Sequence, residues 1–224
     1  MRIRGIAVWC WGALAVMACG VWSTSAEADD YYRKGTFMIG GGFNNPVGPG
    51  DQYFNGSGTF NVGLGRNLNS RLTIQSEYTH NWMNIDQSVI QAAASDSVQF
   101  DNAYASVWSI TLNGVFRFRP HSDFVPWITG GFGYYKRNLQ ITKDALVYYP
   151  PYFDPWWGWI DGGWAPGEAI AGSRAQSALG YNFGFGIDLK IENGASLFAD
   201  VRYHYAPMDG VDMQLVPVTF GIRF

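Results

Sequence analysis

Apolar and polar residues alternate along most of this chain in segments of about ten, the period-two pattern of strands with one apolar and one polar face. The clearest runs from Arg71 to Trp82. Leu72, Ile74, Tyr78 and Trp82 share one face, and Arg71, Thr73, Gln75, Glu77, Thr79 and Asn81 share the other. The same pattern marks Gly35 to Phe43, Gly58 to Asn67, Ala103 to Phe118, Val125 to Lys136, Gln176 to Ile191, Ala195 to Tyr205 and Val216 to Phe224. In the fifth segment glycines leave the register open. Connections after the second, fourth and sixth segments (around Asn69, Pro120 to Asp123, and Glu192 to Gly194) are short, and those after the first, third and fifth are long.

A polar face like that of Arg71 to Trp82 fits neither lipid nor a dry soluble core, yet the opposite face carries Leu72, Ile74, Tyr78 and Trp82. Beyond the N-terminal stretch there is no apolar run of helix-spanning length, while the chain is 17% aromatic, only 15% charged, and holds 28 glycines. Strands that cross a bilayer must satisfy their backbone by closing on themselves. The pattern predicts an all-β fold, an eight-stranded antiparallel up-and-down transmembrane β-barrel with short turns on one side and long loops on the other. So narrow a barrel is filled by its own side chains. Arg71, Glu77, Arg117, Asp188, Lys190, Asp200, Arg202 and Arg223 fall on inward positions, where both signs of charge are expected to pair in one polar network. Outward aromatics are expected in two girdles: Phe43, Trp82, Tyr104, Tyr135, Tyr181, Tyr203 and Tyr205 towards the loops, and Phe116, Phe118, Trp127 and Phe224 towards the turns.

The N-terminus reads as an export signal. Arg2 and Arg4 precede an uncharged stretch from Ile6 to Trp22, and Ala26-Glu27-Ala28 offers a small-x-small cleavage site. Residues 1–28 are therefore expected to be a secretory signal and 29–224 the barrel; processing at Cys19 as a lipoprotein is the alternative. Both cysteines, Cys10 and Cys19, lie inside that signal, so no disulfide is expected in the barrel. A net charge of −3 without a basic cluster gives no sign of nucleic-acid binding.

Three stretches carry a resemblance to a known group: the closing VPVTFGIRF of residues 216–224, the run FVPWITGGFGYY from Phe124 to Tyr135, and Ala199-Asp200-Val201-Arg202-Tyr203. Together they resemble the small outer-membrane barrels that include the outer-membrane protein A transmembrane domain, the outer-membrane protein X type and the opacity proteins. The resemblance implies residence in the outer membrane of a Gram-negative-type bacterium, among its lipids and lipopolysaccharide. It also implies that Phe220, Ile222 and the terminal Phe224 serve as an assembly signal read by the barrel-assembly machinery.

Catalytic, metal and cofactor chemistry finds no motif. His80, His121 and His204 are scattered without a second ligand at metal-binding spacing. Lipid A deacylases of similar architecture use His-x-Ser on an outer strand face, but here Ala206 follows His204-Tyr205, leaving no nucleophile. Individuality lies in the stretch from Tyr148 to Trp164, where Tyr148, Tyr149, Trp156, Trp157, Trp159 and Trp164 form a candidate surface for an extracellular glycan or protein. These rings packing over the barrel mouth or resting on headgroups is the other reading. The expected role is structural or surface-interacting without catalysis. A small-solute channel or, behind it, a lipid-modifying enzyme are the alternatives.

Overall fold

The computed structural model describes residues 34–85, 102–191 and 194–224. The expected signal at residues 1–28, most of the loop after the third strand, and Glu192 and Asn193 lie outside them. In chain order the strands are β1 (Gly35–Phe43), β2 (Phe54–Asn67), β3 (Leu72–Ile85), β4 (Asn102–Arg117), β5 (Phe124–Tyr149), β6 (Tyr152–Asp154), β7 (Gly158–Ile160), β8 (Gly163–Lys190), β9 (Ser196–Ala206), β10 (Met213–Leu215) and β11 (Val218–Arg223). Antiparallel pairing runs from β1 through β2, β3, β4, β5, β8, β9 and β11 and returns to β1. Because β10 and β11 pair with successive parts of β9, the wall has eight strand positions. Each position has a neighbour on both sides, which is how a sheet in lipid satisfies its backbone.

The alternation becomes an inside and an outside. On β3, Thr73, Gln75, Glu77, Thr79 and Asn81 are buried while Ile74, Tyr78 and Trp82 are exposed on the outer surface. On β9, Phe198, Asp200, Arg202, His204 and Ala206 are buried. The register of β5 is settled by its partners: Val125, Trp127, Thr129 and Tyr135 are buried, and Phe124, Ile128, Phe132 and Tyr134 are exposed. This corrects the girdle expected from the sequence. Trp127 and Tyr135 face inward, each with a hydrogen-bonding tip that finds a buried partner.

Outward rows also show where the apolar band ends. Tyr78, Ile110, Tyr134 and Leu179 lie side by side through the pairings, and the next outward row towards the long loops is His80, Trp108, Lys136 and Ser177. Polar Ser106 and Asn138 lie beyond, with Trp82 and Ala175 beside them.

Two further differences from the sequence reading concern element ends. The alternation predicts a fifth strand that stops at Lys136 and a sixth that begins at Gln176, but β5 and β8 continue as one hairpin to Tyr149 and Gly163. Beyond the apolar band neither face is held to one chemistry, so the alternation fades while backbone pairing persists. The closing strand, expected unbroken from Val216, is split around Pro217, which has no N–H to donate to a ladder. Val216 nevertheless exchanges backbone bonds with Asn45, and Phe224 with Phe37, so the seam against β1 and the chain after it continues on both sides of the break.

Candidate functional site

The interior of the barrel gathers residues that the sequence scatters over all its length. Arg202 on β9 lies between two carboxylates. Its Nε donates to Asp200 Oδ2 at 2.7 Å, and its other terminal nitrogens meet Asp200 Oδ2 at 2.6 Å and Glu77 of β3. Glu77 also accepts from Gln75, whose Nε2 is 2.8 Å from Met38 Sδ, and Asp200 accepts from the Thr219 hydroxyl. Nearer the short turns, Asp188 of β8 pairs with Arg223 of β11, accepts from Trp127 Nε1 at 3.0 Å and lies 3.8 Å from Arg117 Nε. Arg117 in turn donates to the Thr73 hydroxyl at 2.6 Å.

Trp127 joins the two groups. The guanidinium carbons of Arg223 and Arg202 lie 4.9 and 5.8 Å from its ring centre, within cation–π range. Gly186, paired with Trp127, makes room for it: a Cβ there would stand 2.4 Å from Trp127 Cζ2. Three carboxylates therefore meet three guanidinium groups. All but half-buried Arg117 are shut from solvent, the condition under which interior charges persist.

Of the inward residues expected from the sequence, two stand outside the ion-paired network. Arg71 is exposed in the β2–β3 turn, where its backbone N–H meets Asn69 Oδ1 at 2.9 Å. Lys190 is exposed at the end of β8, its Nζ donating to the Pro120 carbonyl at 2.7 Å. Strand ends leave the lumen before the alternation stops, so parity alone overcounts the network there. Sequence reasoning misses Trp127 and Gln75 as members. Gln75 has the right parity but no charge to mark it, and Trp127 reads as a lipid-facing ring.

Above the ion pairs the interior changes character. Asn182 Nδ2 donates to Asn113 Oδ1 at 2.8 Å, and the Tyr135 hydroxyl is 3.1 Å from His204 Nδ1. Met83, Ala105, Val107, Ala206, Met208, Met213 and Leu215 then pack with Tyr135 in one buried apolar cluster at the long-loop end. His204 and Ala206 both belong to this interior, not to an outer face. His80, by contrast, sits half-exposed on the outer surface, its ring 4.6 Å from that of Trp82. At the short-turn end the lumen opens into a cavity of about 400 Å³ bordered by Thr36, Asn67, Arg117, Asp188, Lys190 and Arg223. Among the described residues no group of three or more His, Cys, Asp or Glu could hold a metal ion.

The second feature is the far end of the β5–β8 hairpin. Tyr148 and Tyr149 close β5, Trp164 stands on β8, and between them β6 and β7 form a small hairpin of their own. Asp154 Oδ1 accepts the N–H groups of Trp156 (2.8 Å) and Trp157 (3.0 Å), and Gly158 takes φ +81°, so the chain reverses with both indoles at the apex. Trp156 is 90% exposed, Trp159 75%, Trp164 70% and Trp157 69%. Phe153 packs edge-on to Trp159 at 5.8 Å, and Tyr148 lies 5.5 Å from Trp164. Rings so exposed are not packed over the barrel mouth. On the wall itself Phe220, Ile222 and Phe224 are exposed on the outer surface, Phe224 stacking on Phe37 at 6.3 Å.

Residues 12–224 match a family model described as outer membrane protein beta-barrel domain. Among solved structures, the chain is similar to Ail, the attachment invasion locus protein of Yersinia pestis, in complex with the heparin analogue sucrose octasulfate. Identity is 14%, coverage 86% of this chain and 100% of that one, and the TM-score 0.50. Neisserial surface protein A (12% identity, 85% and 96% coverage, TM-score 0.52) is a second. A major outer membrane protein from Thermus thermophilus (10% identity, 86% and 99% coverage, TM-score 0.52) is a third. At these identities the likeness is one of fold alone. No curated protein matches the sequence.

Proposed function

Because the chain belongs to the outer membrane protein beta-barrel family, and with it to the bacterial outer membrane, we propose that it works there by surface interaction, without catalysis. The barrel is the scaffold and the β5–β8 hairpin the working part. One observation carries this reading: a hairpin continuous with the barrel wall ends in four tryptophans at least 69% exposed, far from the apolar band that lipid would cover. Exposed Trp and Tyr on a structured element are the residue types that anchor binding surfaces. The lumen supports a scaffold over a channel, since its middle is filled by paired charges and its long-loop end by Met208, Met213 and Leu215.

The same reading takes residues 1–28 as the export signal, and Phe220, Ile222 and Phe224 as the surface shown to the barrel-assembly machinery. Outer-membrane lipid and lipopolysaccharide are then the barrel's surroundings, and an extracellular glycan or protein a candidate target of the hairpin. Ail has been crystallised with a heparin analogue, but the hairpin end of this chain carries Asp154 and Asp161 and no Lys or Arg between Tyr148 and Gly167. A polyanion is therefore not the expected ligand.

Replacing Trp156, Trp157 and Trp159 together with alanine tests the proposal. Barrel assembly should survive, because all three are exposed on the β6–β7 hairpin and its apex. Binding to glycan arrays or surface proteins should fall by about 1 to 3 kcal/mol per stacking ring, by analogy with bases on aromatic platforms. Unchanged binding would refute the role, and failed assembly would show that the rings pack into the fold.

A further inference from the structure

We propose that the β6–β7 finger docks on a lipid surface with choline headgroups belonging to a membrane other than the protein's own. The inference rests on the surface-interaction reading above and names the partner of the same site.

Shape is the first argument. Small-molecule sites are concave and surround their ligand. Here Trp156 and Trp157 sit at the convex apex of a two-stranded finger, held there by the Asp154 carboxylate. A convex aromatic apex has no walls to enclose a sugar, but it matches an interface that yields to it, and the boundary between headgroups and acyl chains is where Trp and Tyr concentrate.

Charge is the second. From Tyr148 to Gly167 the only ionised side chains are Asp154 and Asp161. Such a tip is repelled by anionic lipid and by sulfated or phosphorylated glycans. A quaternary ammonium is the complementary group, since indole and phenol faces attract it through cation–π interaction and a neighbouring carboxylate adds to the attraction. Phosphatidylcholine presents that cation on a surface of zero net charge.

Reach is the third. The apolar band ends near Tyr134 on β5, while the strand runs on to Tyr149. At roughly 3.3 Å per residue the ribbon carries its end about 50 Å along its length from the protein's own apolar band. The surface within reach is therefore an opposing one.

The experiment uses the whole protein, folded and held in an amphipathic polymer so that it brings no lipid of its own, floated with vesicles of pure phosphatidylcholine or pure phosphatidylglycerol. The wild type should co-float with phosphatidylcholine and not with phosphatidylglycerol. Trp156→Ala with Trp157→Ala should lose about tenfold in apparent affinity, while heat-dependent gel migration reports that the barrel is intact. Asp161→Lys, at an exposed position, should weaken phosphatidylcholine binding and raise phosphatidylglycerol binding. Failure to co-float with phosphatidylcholine, equal binding to both lipids, or undiminished binding of the double variant would each overturn the proposal. If the double variant still loses binding to a glycan or a protein, the surface-interaction reading stands and only the lipid partner falls. If it loses nothing at all, both fall.

Discussion

Replacing Arg202 with methionine should destabilise this barrel more than any single change to the carboxylates around it. The guanidinium lies between Glu77 and Asp200, with side chains 3%, 1% and 2% exposed. Its removal leaves two buried carboxylates facing each other, with only Gln75 and Thr219 as neutral donors. Breaking a buried pair by deleting one partner costs about 3 to 5 kcal/mol, and two orphaned anions place this variant at the upper end. Glu77→Gln leaves Arg202 still neutralised by Asp200 and loses one charge-assisted hydrogen bond, about 1.5 to 3 kcal/mol. Urea unfolding of the refolded protein in lipid, followed by tryptophan fluorescence, measures the difference. With a slope of about 2 kcal/mol per molar urea, Arg202→Met should lower the midpoint by roughly 1.5 to 2.5 M and Glu77→Gln by about half that. The double variant should be less destabilised than the sum of the two, by about 0.5 to 3 kcal/mol, because the pair acts as a unit. Equal midpoints for the two single variants would refute the reasoning, since they would mean that water reaches these charges and screens them.

Gly186→Ala should destabilise the barrel by about 1 to 3 kcal/mol in the same assay, because its Cβ would meet the Trp127 ring and, at 2.7 Å, the Ala199 carbonyl; a neutral result would show that Trp127 is free to move away. Trp127→Phe keeps most of the ring but removes the donor to Asp188, and a loss of about 1.5 to 3 kcal/mol is expected for one hydrogen bond to a charged acceptor that keeps its pairing with Arg223. In planar bilayers the wild type should show no steady conductance, because ion pairs and the apolar cluster at Leu215 and Met213 block the lumen; stable single-channel steps would contradict this. Deleting Phe224 should lower assembly in cells far more than stability after refolding in detergent, since Phe224 is exposed on the outer wall and joins the fold through two terminal backbone bonds with Phe37 and a ring stack. Equal losses in both measurements would make it a structural residue only.

Local patterning is enough to read the wall. Period two depends only on neighbours in the chain, so the inside and outside of β3, β9 and β11 are legible without any partner strand: Glu77, Asp200, Arg202 and Arg223 have the parity that the structure gives them. Where the pattern thins, the sequence is silent. Glycines remove side chains from β5, and only the pairing with β4 and β8 turns Trp127 and Tyr135 inward, where Gly186 on β8 leaves the space that the Trp127 ring fills and His204 meets the Tyr135 hydroxyl. Past the apolar band no medium enforces alternation, so the ribbon from Arg137 to Tyr149 reads as a loop until it is placed beside its partner strand. Which charges pair is likewise a tertiary result. Glu77 and Arg202 are 125 residues apart, and their contact depends on the register with which eight strands close round a common lumen. Sequence by itself determined the class, the sidedness and the chemistry of each face; only the tertiary structure decided which opposite charges meet, which aromatics belong to the lumen, and how far the paired ribbon below the tryptophans runs past the last apolar row.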